Sequence, residues 1–230
     1  MSVWFAVPSA RSEDETADVF AAWKAQGYKI ALWRDQEPAP AVADMTLIGE
    51  YRGYPNAVND LCREIFARDP ECMWVASGGD DMFPDPNKSA DEIAAECTEH
   101  FGGTFGVMQP CGDRWFNPER ICGSPFMGRE FCRRMYGGAT YQKPGPFCEL
   151  FYHMWSDQEM HEICLKLGIL WNRMDLSHYH RHWIRVQQEA KQKLKTPAHL
   201  TKAVTCYESL MPLYKDRERK GFPGHEPLPL

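Results

Sequence analysis

Two carboxylates stand side by side at Asp80 and Asp81, directly after Gly78-Gly79 and shortly before Pro84 and Pro86. Adjacent ionised acids repel each other unless a proton or a cation neutralises them. Their hard oxygens suit Mg²⁺ or Mn²⁺, and such a cation can in turn hold a diphosphate. The same residues also make an ordinary solvated acidic turn. A second candidate group is His178, His180 and His182, which alternate along the chain, so an extended segment projects all three imidazoles on one face. That face suits a metal site, a dedicated three-histidine zinc site, or an aromatic edge packed by Tyr179 and Trp183. A third is Asp157, which with Ser156 opens an amphipathic helical pattern. Either residue can cap that helix, and the helix dipole favours the ionised carboxylate.

The elements that must position these groups follow from local pattern. The apolar run Met73–Ala76 reads as a buried strand of a parallel sheet, and Gly78-Gly79 lets the chain turn sharply behind it. Further strands are expected at Val3–Val7, Tyr28–Trp33, Met45–Ile48, Gly106–Gln109 and Ile169–Trp171. Helices are expected at Glu13–Gln26, Tyr54–Arg68, Ala90–His100 and Arg129–Tyr136, and from Ser156 or Asp157 to Leu167. Regular alternation of this kind predicts an α/β fold with a mostly parallel sheet and right-handed crossovers. Such sheets bind ligands beyond the C-terminal ends of their strands, where Asp80 and Asp81 fall. Residues 111–126 lack periodicity and read as a long functional loop or short edge strands.

The 230 residues, 43% hydrophobic and 13% aromatic, suit a folded protein of one large or two small domains. No window approaches a membrane span, and the first residues do not resemble a signal peptide. Nine cysteines without a Cys-x-x-Cys pair argue against a disulfide scaffold and for reduced, buried thiols in a cytoplasm. The net charge of −6 is uneven, since residues 171–230 hold eleven basic against six acidic side chains. That basic end could meet a polyanion or form a solvated helix and tail.

Several stretches together resemble GT-A nucleotide-sugar glycosyltransferases, most closely glycosyltransferase family 2, over about residues 2–183. Val3 to Arg11 looks like the family's opening strand and nucleotide-binding turn. Gly53-x-x-x-Ala57-Val58-Asn59 is similar to its Gly-x-x-x-Ala-Arg-Asn helix start, with Val58 in place of the arginine. Gly78-Gly79-Asp80-Asp81-Met-Phe-Pro84 resembles its Asp-x-Asp-Asp-x-x-x-Pro segment, with Gly78 in place of the first acid. Ser156-Asp157-Gln-Glu159-Met160 resembles the Glu-Asp-x-Asp/Glu-Leu segment, which puts Asp157 where inverting members keep their general base.

The resemblance implies a GT-A-like, Rossmann-related catalytic domain over 1–183 and a basic helical extension with an irregular tail over 184–230. It implies a cytoplasmic, metal-dependent enzyme that transfers a sugar from a UDP donor to a hydroxyl, with Mn²⁺ or Mg²⁺ at Asp81, Asp80, His180 and His182. Pro8, Ser9, Arg11, Arg34, Asp35, Asn59, Gly79 and Asp80 would then surround the nucleotide. Of these, Arg11 suits a phosphate and Asp35 a base or ribose, the alternative for both being a surface ion pair. Arg114, Trp115, Phe116 and Arg120 would line the acceptor side. Compact enzymes of this kind are encoded by bacteriophages, some of which glycosylate hydroxymethylated bases of their own DNA in the host cytoplasm. Duplex DNA is therefore one partner that the resemblance admits. The alternatives are a nucleotidyltransferase acting on sugar phosphates, which the glycine-free turn Pro8–Ser12 disfavours, and a non-enzymatic nucleotide- or DNA-binding module.

Overall fold

The computed structural model describes residues 2–38, 40–115, 118–138, 143–191, 193 and 198–229. Strand β1 (Ser2–Pro8) runs through the middle of the sheet, and its Val3 to Val7 are all buried, as in a strand covered on both faces. β2 (Lys29–Arg34) and β4 (Cys72–Ser77) flank it in parallel, and β3 (Met45–Ile48) adds in parallel to β2. The crossovers are α1 (Glu13–Ala25), α2 (Tyr54–Arg68) and α3 (Ala90–Phe101). Ser12 with Glu15 and Ser89 with Glu92 close capping boxes on α1 and α3, which fixes where these helices begin. The short strand β5 (Met82–Phe83) follows the acid pair, and β6 (Val107–Pro110) follows α3.

Beyond β6 the chain departs from simple alternation. β7 (Phe126–Gly128) lies between β4 and β6 and runs antiparallel to both. It belongs to the inside of the sheet, whereas the sequence pattern suggested a loop or an edge. Gly128 is required there, because a Cβ would stand 2.0 Å from the Thr104 carbonyl oxygen. Helix α4 (Arg129–Arg134) comes next, then α5 (Ser156–Leu167) and β8 (Leu170–Arg173), which pairs in parallel with β6. β9 (Tyr179–His180) pairs antiparallel with β5, placing His180 opposite Met82. Helices α6 (Trp183–Ala190) and α7 (Ala198–Arg219) close the chain. Among the described residues, seven strands form one sheet in the order β3-β2-β1-β4-β7-β6-β8. The fold is thus the expected α/β class, a mostly parallel sheet flanked by helices.

Each face of the sheet carries its own apolar layer. On one side Trp23 of α1 stacks on Phe5 of β1 with ring centroids 3.8 Å apart, and Ile93 and Cys97 of α3 join it. On the other, Leu61 and Ile65 of α2 meet Phe131 of α4 and Ile163 of α5. Tyr214 and Phe222 belong to this second layer, so the C-terminal segment adds to the core. Eight of the nine cysteines are buried, Cys206 is half-buried, and none is in a disulfide. Burial pushes up the thiols of Cys72, Cys97, Cys111, Cys122, Cys132 and Cys164, that of Cys111 to about 11 and that of Cys97 to about 12. No described helix is long and apolar enough to cross a membrane.

Asn59 shows how the second layer is braced. Its amide donates to the Phe147 carbonyl (2.9 Å) and to Glu149 Oε1 (3.0 Å), and its Oδ1 accepts the Phe147 N–H (3.0 Å). With both ends of the amide engaged 88 residues away in sequence, Asn59 is a bracket for the 147–149 loop rather than a nucleotide ligand. Asn59→Ala is expected to cost roughly 2–4 kcal/mol in urea denaturation, because the Phe147 backbone groups are left unpaired. The same variant should leave nucleotide affinity unchanged.

Candidate functional site

The site forms where β1 and β4 end. Ser77, last in β4, donates its hydroxyl to the Ala6 carbonyl (2.8 Å) and takes a hydrogen bond from Tyr54 at the start of α2 (2.8 Å). Gly78 and Gly79 then turn the chain. A Cβ on Gly79 would lie 2.6 Å from Asp81 Oδ1, so glycine at this position makes room for the carboxylate itself. Asp80 accepts a hydrogen bond from the buried Ser9 hydroxyl at 2.5 Å and faces Arg11 Nε at 3.3 Å. Asp81 faces Arg11 Nη2 at 3.6 Å and His180 Nε2 at 3.1 Å. The β5–β9 pairing brings His180 to the acid, helped by the Arg181 N–H bonded to the Asp81 carbonyl (2.9 Å). Arg34 is buried and donates to the Arg11 carbonyl (2.8 Å) and the Gln36 carbonyl (3.2 Å), so it holds the turn.

The electrostatics follow from these neighbours. Burial alone would raise the Asp81 pKa, but the hydrogen bond and charge of His180, with the charge of Arg11 adding, outweigh it and hold the carboxyl at about 2. His182 is lowered to about 4, first by burial and then by the charge of His180, so it is neutral at physiological pH. Its Nδ1 accepts the Ile184 N–H and caps α6, and its ring lies 5.0 Å from that of His180. Trp115 packs edge-on against His180 (5.3 Å) and beside His182 (5.4 Å). The expectation that the three histidines share one face holds for these two. His178 is buried instead, its Nδ1 2.6 Å from the Ser124 hydroxyl and its ring against Trp23.

Asp157 is the second residue of α5. The N-cap is Trp155 in a left-handed conformation (φ 78°), not Ser156 or Asp157. Ser156 bonds back to the His153 carbonyl, and Asp157 Oδ1 accepts the Gln158 N–H (3.1 Å). Burial raises the Asp157 pKa to about 6, with backbone hydrogen bonds opposing it. Desolvation therefore outweighs the helix terminus that the sequence argument relied on. Asp157 is near enough to Tyr54, the residue bonded to Ser77, for its charge to be felt there. Burial raises the Tyr54 phenol, the Ser77 contact opposes this, and the charge of Asp157 adds to the rise.

The remaining sequence candidates fall at or near this edge. Pro8 ends β1, Asp35 is exposed just after β2, and Arg114 and Arg120 are exposed in the mid-chain loop. Phe116 lies outside the described residues. Asp85 was not singled out by the sequence, yet it is buried and accepts the Asn87 and Ser177 N–H groups (2.8 and 2.9 Å), tying the segment before β9 to the acid turn. An Asp-Pro pair signals a turn, but nothing local signals its distant partner. Among the described residues no three His, Cys, Asp or Glu side chains already converge on one point. The donor chemistry nevertheless suits a hard divalent cation, since the Asp81 carboxylate has the His180 imidazole 3.1 Å away and a second carboxylate, Asp80, next to it in sequence. An open groove along β3, lined by Trp33, Leu47, Ile48, Arg63 and Lys143, holds none of these residues.

No family model matches the chain, and no curated protein matches it. Among solved structures it is similar to a mutant Drosophila β-1,4-galactosyltransferase 7 in complex with manganese, UDP-Gal and xylobiose. That likeness has 13% identity and a TM-score of 0.48 and covers 87% of this chain and 79% of the other. It is similar also to a Bacillus anthracis protein named as a glucose-1-phosphate thymidylyltransferase, in complex with sucrose. Here identity is 9% and the TM-score 0.49, with 85% of this chain and 98% of the other covered. Likenesses of this order assign neither a family nor an activity.

The raised pKa of Asp157 has a stability consequence. Between pH 3.8 and about 6 the folded chain keeps a proton that the unfolded chain has released. Stability therefore falls as pH rises through that window, and the deficit persists above it. Asp157→Asn is expected to stabilise the protein at pH 8 by up to about 3 kcal/mol, at 1.36 kcal/mol per pKa unit. At pH 3.5 the gain should vanish, which urea denaturation at the two pH values would measure.

Proposed function

We propose that this chain is a metal-dependent glycosyltransferase that moves a sugar from a nucleoside diphosphate, UDP in our reading, to a hydroxyl acceptor. The observation that carries the reading is the meeting of Asp80, Asp81, Arg11 and His180 at the C-terminal edge of the sheet. That edge is where α/β sheets bind their ligands. Asp81 and His180, with Asp80 beside them, would hold Mn²⁺ or Mg²⁺, which supplies Lewis-acid neutralisation of a departing diphosphate. Arg11 reaches both acids and presents a guanidinium suited to phosphate oxygens. Ser9 fixes Asp80, and Asp35 stands exposed at the next strand end for the base or ribose.

Asp157 is assigned as the general base. With a pKa of about 6 it is mostly ionised at pH 7 and still basic enough to accept a proton. The acceptor oxygen attacks the anomeric carbon, its proton passes to the Asp157 carboxylate, and the bond to the diphosphate breaks to release UDP. One displacement of this kind inverts the anomeric configuration. Trp115, with the Arg185 guanidinium 5.8 Å from its ring centre, offers an aromatic face beside the histidines for a sugar or a base, with Arg114 and Arg120 in the same loop.

The basic C-terminal segment bears on the acceptor. Arg217 pairs with Glu159, Arg219 and Lys220 pair with Asp216, and Lys215 pairs with Glu218. Lys191 and Lys193 are exposed, and Lys195 lies outside the described residues. Acceptor panels should therefore set glycans and small hydroxyl compounds beside duplex DNA with hydroxymethylated bases, whose binding would weaken steeply with salt.

Calorimetry with UDP and Mn²⁺, separately and together, tests the reading. Each is expected to tighten the other, and Asp81→Asn should abolish the enhancement while the fold persists. Equal UDP affinity with and without the metal would overturn it. Asp157→Asn should leave UDP affinity unchanged and lower turnover by roughly 10²–10⁴. Inorganic pyrophosphate rather than UDP among the products would identify a nucleotidyltransferase.

A further inference from the structure

Trp155 begins α5 with φ of 78°, a conformation that a bulky residue adopts only when its surroundings impose it. Its ring stacks against Tyr207 and Tyr214 of α7, with centroids 4.7 and 4.9 Å away. Its indole N–H donates to the Tyr207 carbonyl at 2.8 Å. Four residues on, Glu159 is fully buried. Both its oxygens accept from Arg217 of α7, Nε at 2.7 Å and Nη2 at 2.7 Å, and the Tyr136 hydroxyl adds a third bond at 2.8 Å. A carboxylate so deeply placed persists only when paired and hydrogen-bonded. Asp157 sits midway between the two gripped residues. The helix that grips them comes from 52 to 58 residues later in the chain.

We propose that α7 is a clamp that sets the turn presenting Asp157, with Arg217 and Tyr207 acting as positioning residues for the base. The inference rests on the reading of Asp157 as that base. The grip on Trp155 fixes the direction in which α5 starts, and the grip on Glu159 fixes the rotation of its first turn. Together they leave Asp157 a single direction in which to point. A general base must lie within hydrogen-bond reach of the proton it takes, so a small rotation of this turn removes catalysis while donor binding is untouched.

The test combines amide hydrogen exchange with Mn²⁺-dependent hydrolysis of a UDP-sugar in Arg217→Met, Arg217→Lys and Tyr207→Ala proteins. Tyr207 is 42% exposed, and removing its ring leaves the buried ion pair in place, so the test stands even if Arg217→Met fails to fold. The expected result is at least tenfold faster exchange at residues 156–160 in Tyr207→Ala and Arg217→Met, with β1 and β4 unchanged. The hydrolytic kcat should fall tenfold or more, the affinity for UDP with Mn²⁺ should stay within about twofold, and Arg217→Lys should recover part of the rate. Unchanged exchange at 156–160, or faster exchange with an unchanged kcat, overturns the clamp. A wild-type protein without Mn²⁺-dependent UDP binding would overturn the glycosyltransferase reading instead. In that case the exchange data alone decide whether α7 holds the turn.

Discussion

Two negative charges on neighbouring residues, pressed into a partly buried turn, are the constraint around which this molecule is arranged. At an effective dielectric near 20, like charges about 4 Å apart repel by about 4 kcal/mol, so Asp80 and Asp81 cannot stay ionised together without compensation. The compensation arrives from both ends of the chain. Arg11 follows the first strand and brings its guanidinium charge, and His180, on a two-residue strand about a hundred residues after the acids, brings an imidazole nitrogen 3.1 Å from Asp81. Supporting residues make sense in this light, since Arg34 holds the Arg11 backbone and Ser9 ties down one carboxylate. Asp85 anchors the segment that delivers the histidine.

The same edge of the sheet holds a carboxylate in the opposite environment. Asp81 is kept ionised by the His180 hydrogen bond and the Arg11 charge, whereas Asp157 has backbone donors but, among the described residues, no cationic side chain bonded to it, and is pushed up to about 6 by burial. Environments that drive titratable groups apart are how one site obtains both a permanent anion and a proton acceptor near neutrality. The contrast comes from packing. It would weaken if α5 were rotated so that Asp157 became fully exposed, or if Arg11 were displaced from the acid turn.

The first half of the fold is legible in the sequence because its signals are local. Capping boxes, Pro55 in the first turn of α2 and continuous apolar runs mark α1, α2, α3 and the central strands to within a residue or two. The acid turn and the late histidines are legible for the same reason. What could not be read is tertiary. β7 is three residues long and becomes a strand only through neighbours on both sides. Asn59 and Arg34 carry donor groups suited to a nucleotide, and only the structure shows those donors engaged with backbone carbonyls. His178 shares its pattern with His180 and His182, yet the chain reaches β9 only after His178 has turned into the core. The basic C-terminal end reads as a solvated helix or a polyanion-binding arm, and nothing in its composition announces that Arg217 will be buried against Glu159.

The buried thiols carry a consequence for how this protein is lost. In the native state eight cysteines are shielded, and burial raises the thiols of Cys72, Cys97, Cys111, Cys122, Cys132 and Cys164, which leaves little thiolate there to react with oxidants. Unfolding releases all of them at once into a chain that evolved no pairing pattern, so in air each unfolded molecule can close many wrong disulfides. Refolding then competes with chemistry that does not reverse by itself. Without a reductant, the durability of the protein becomes a matter of how seldom the native state opens, a rate rather than an equilibrium.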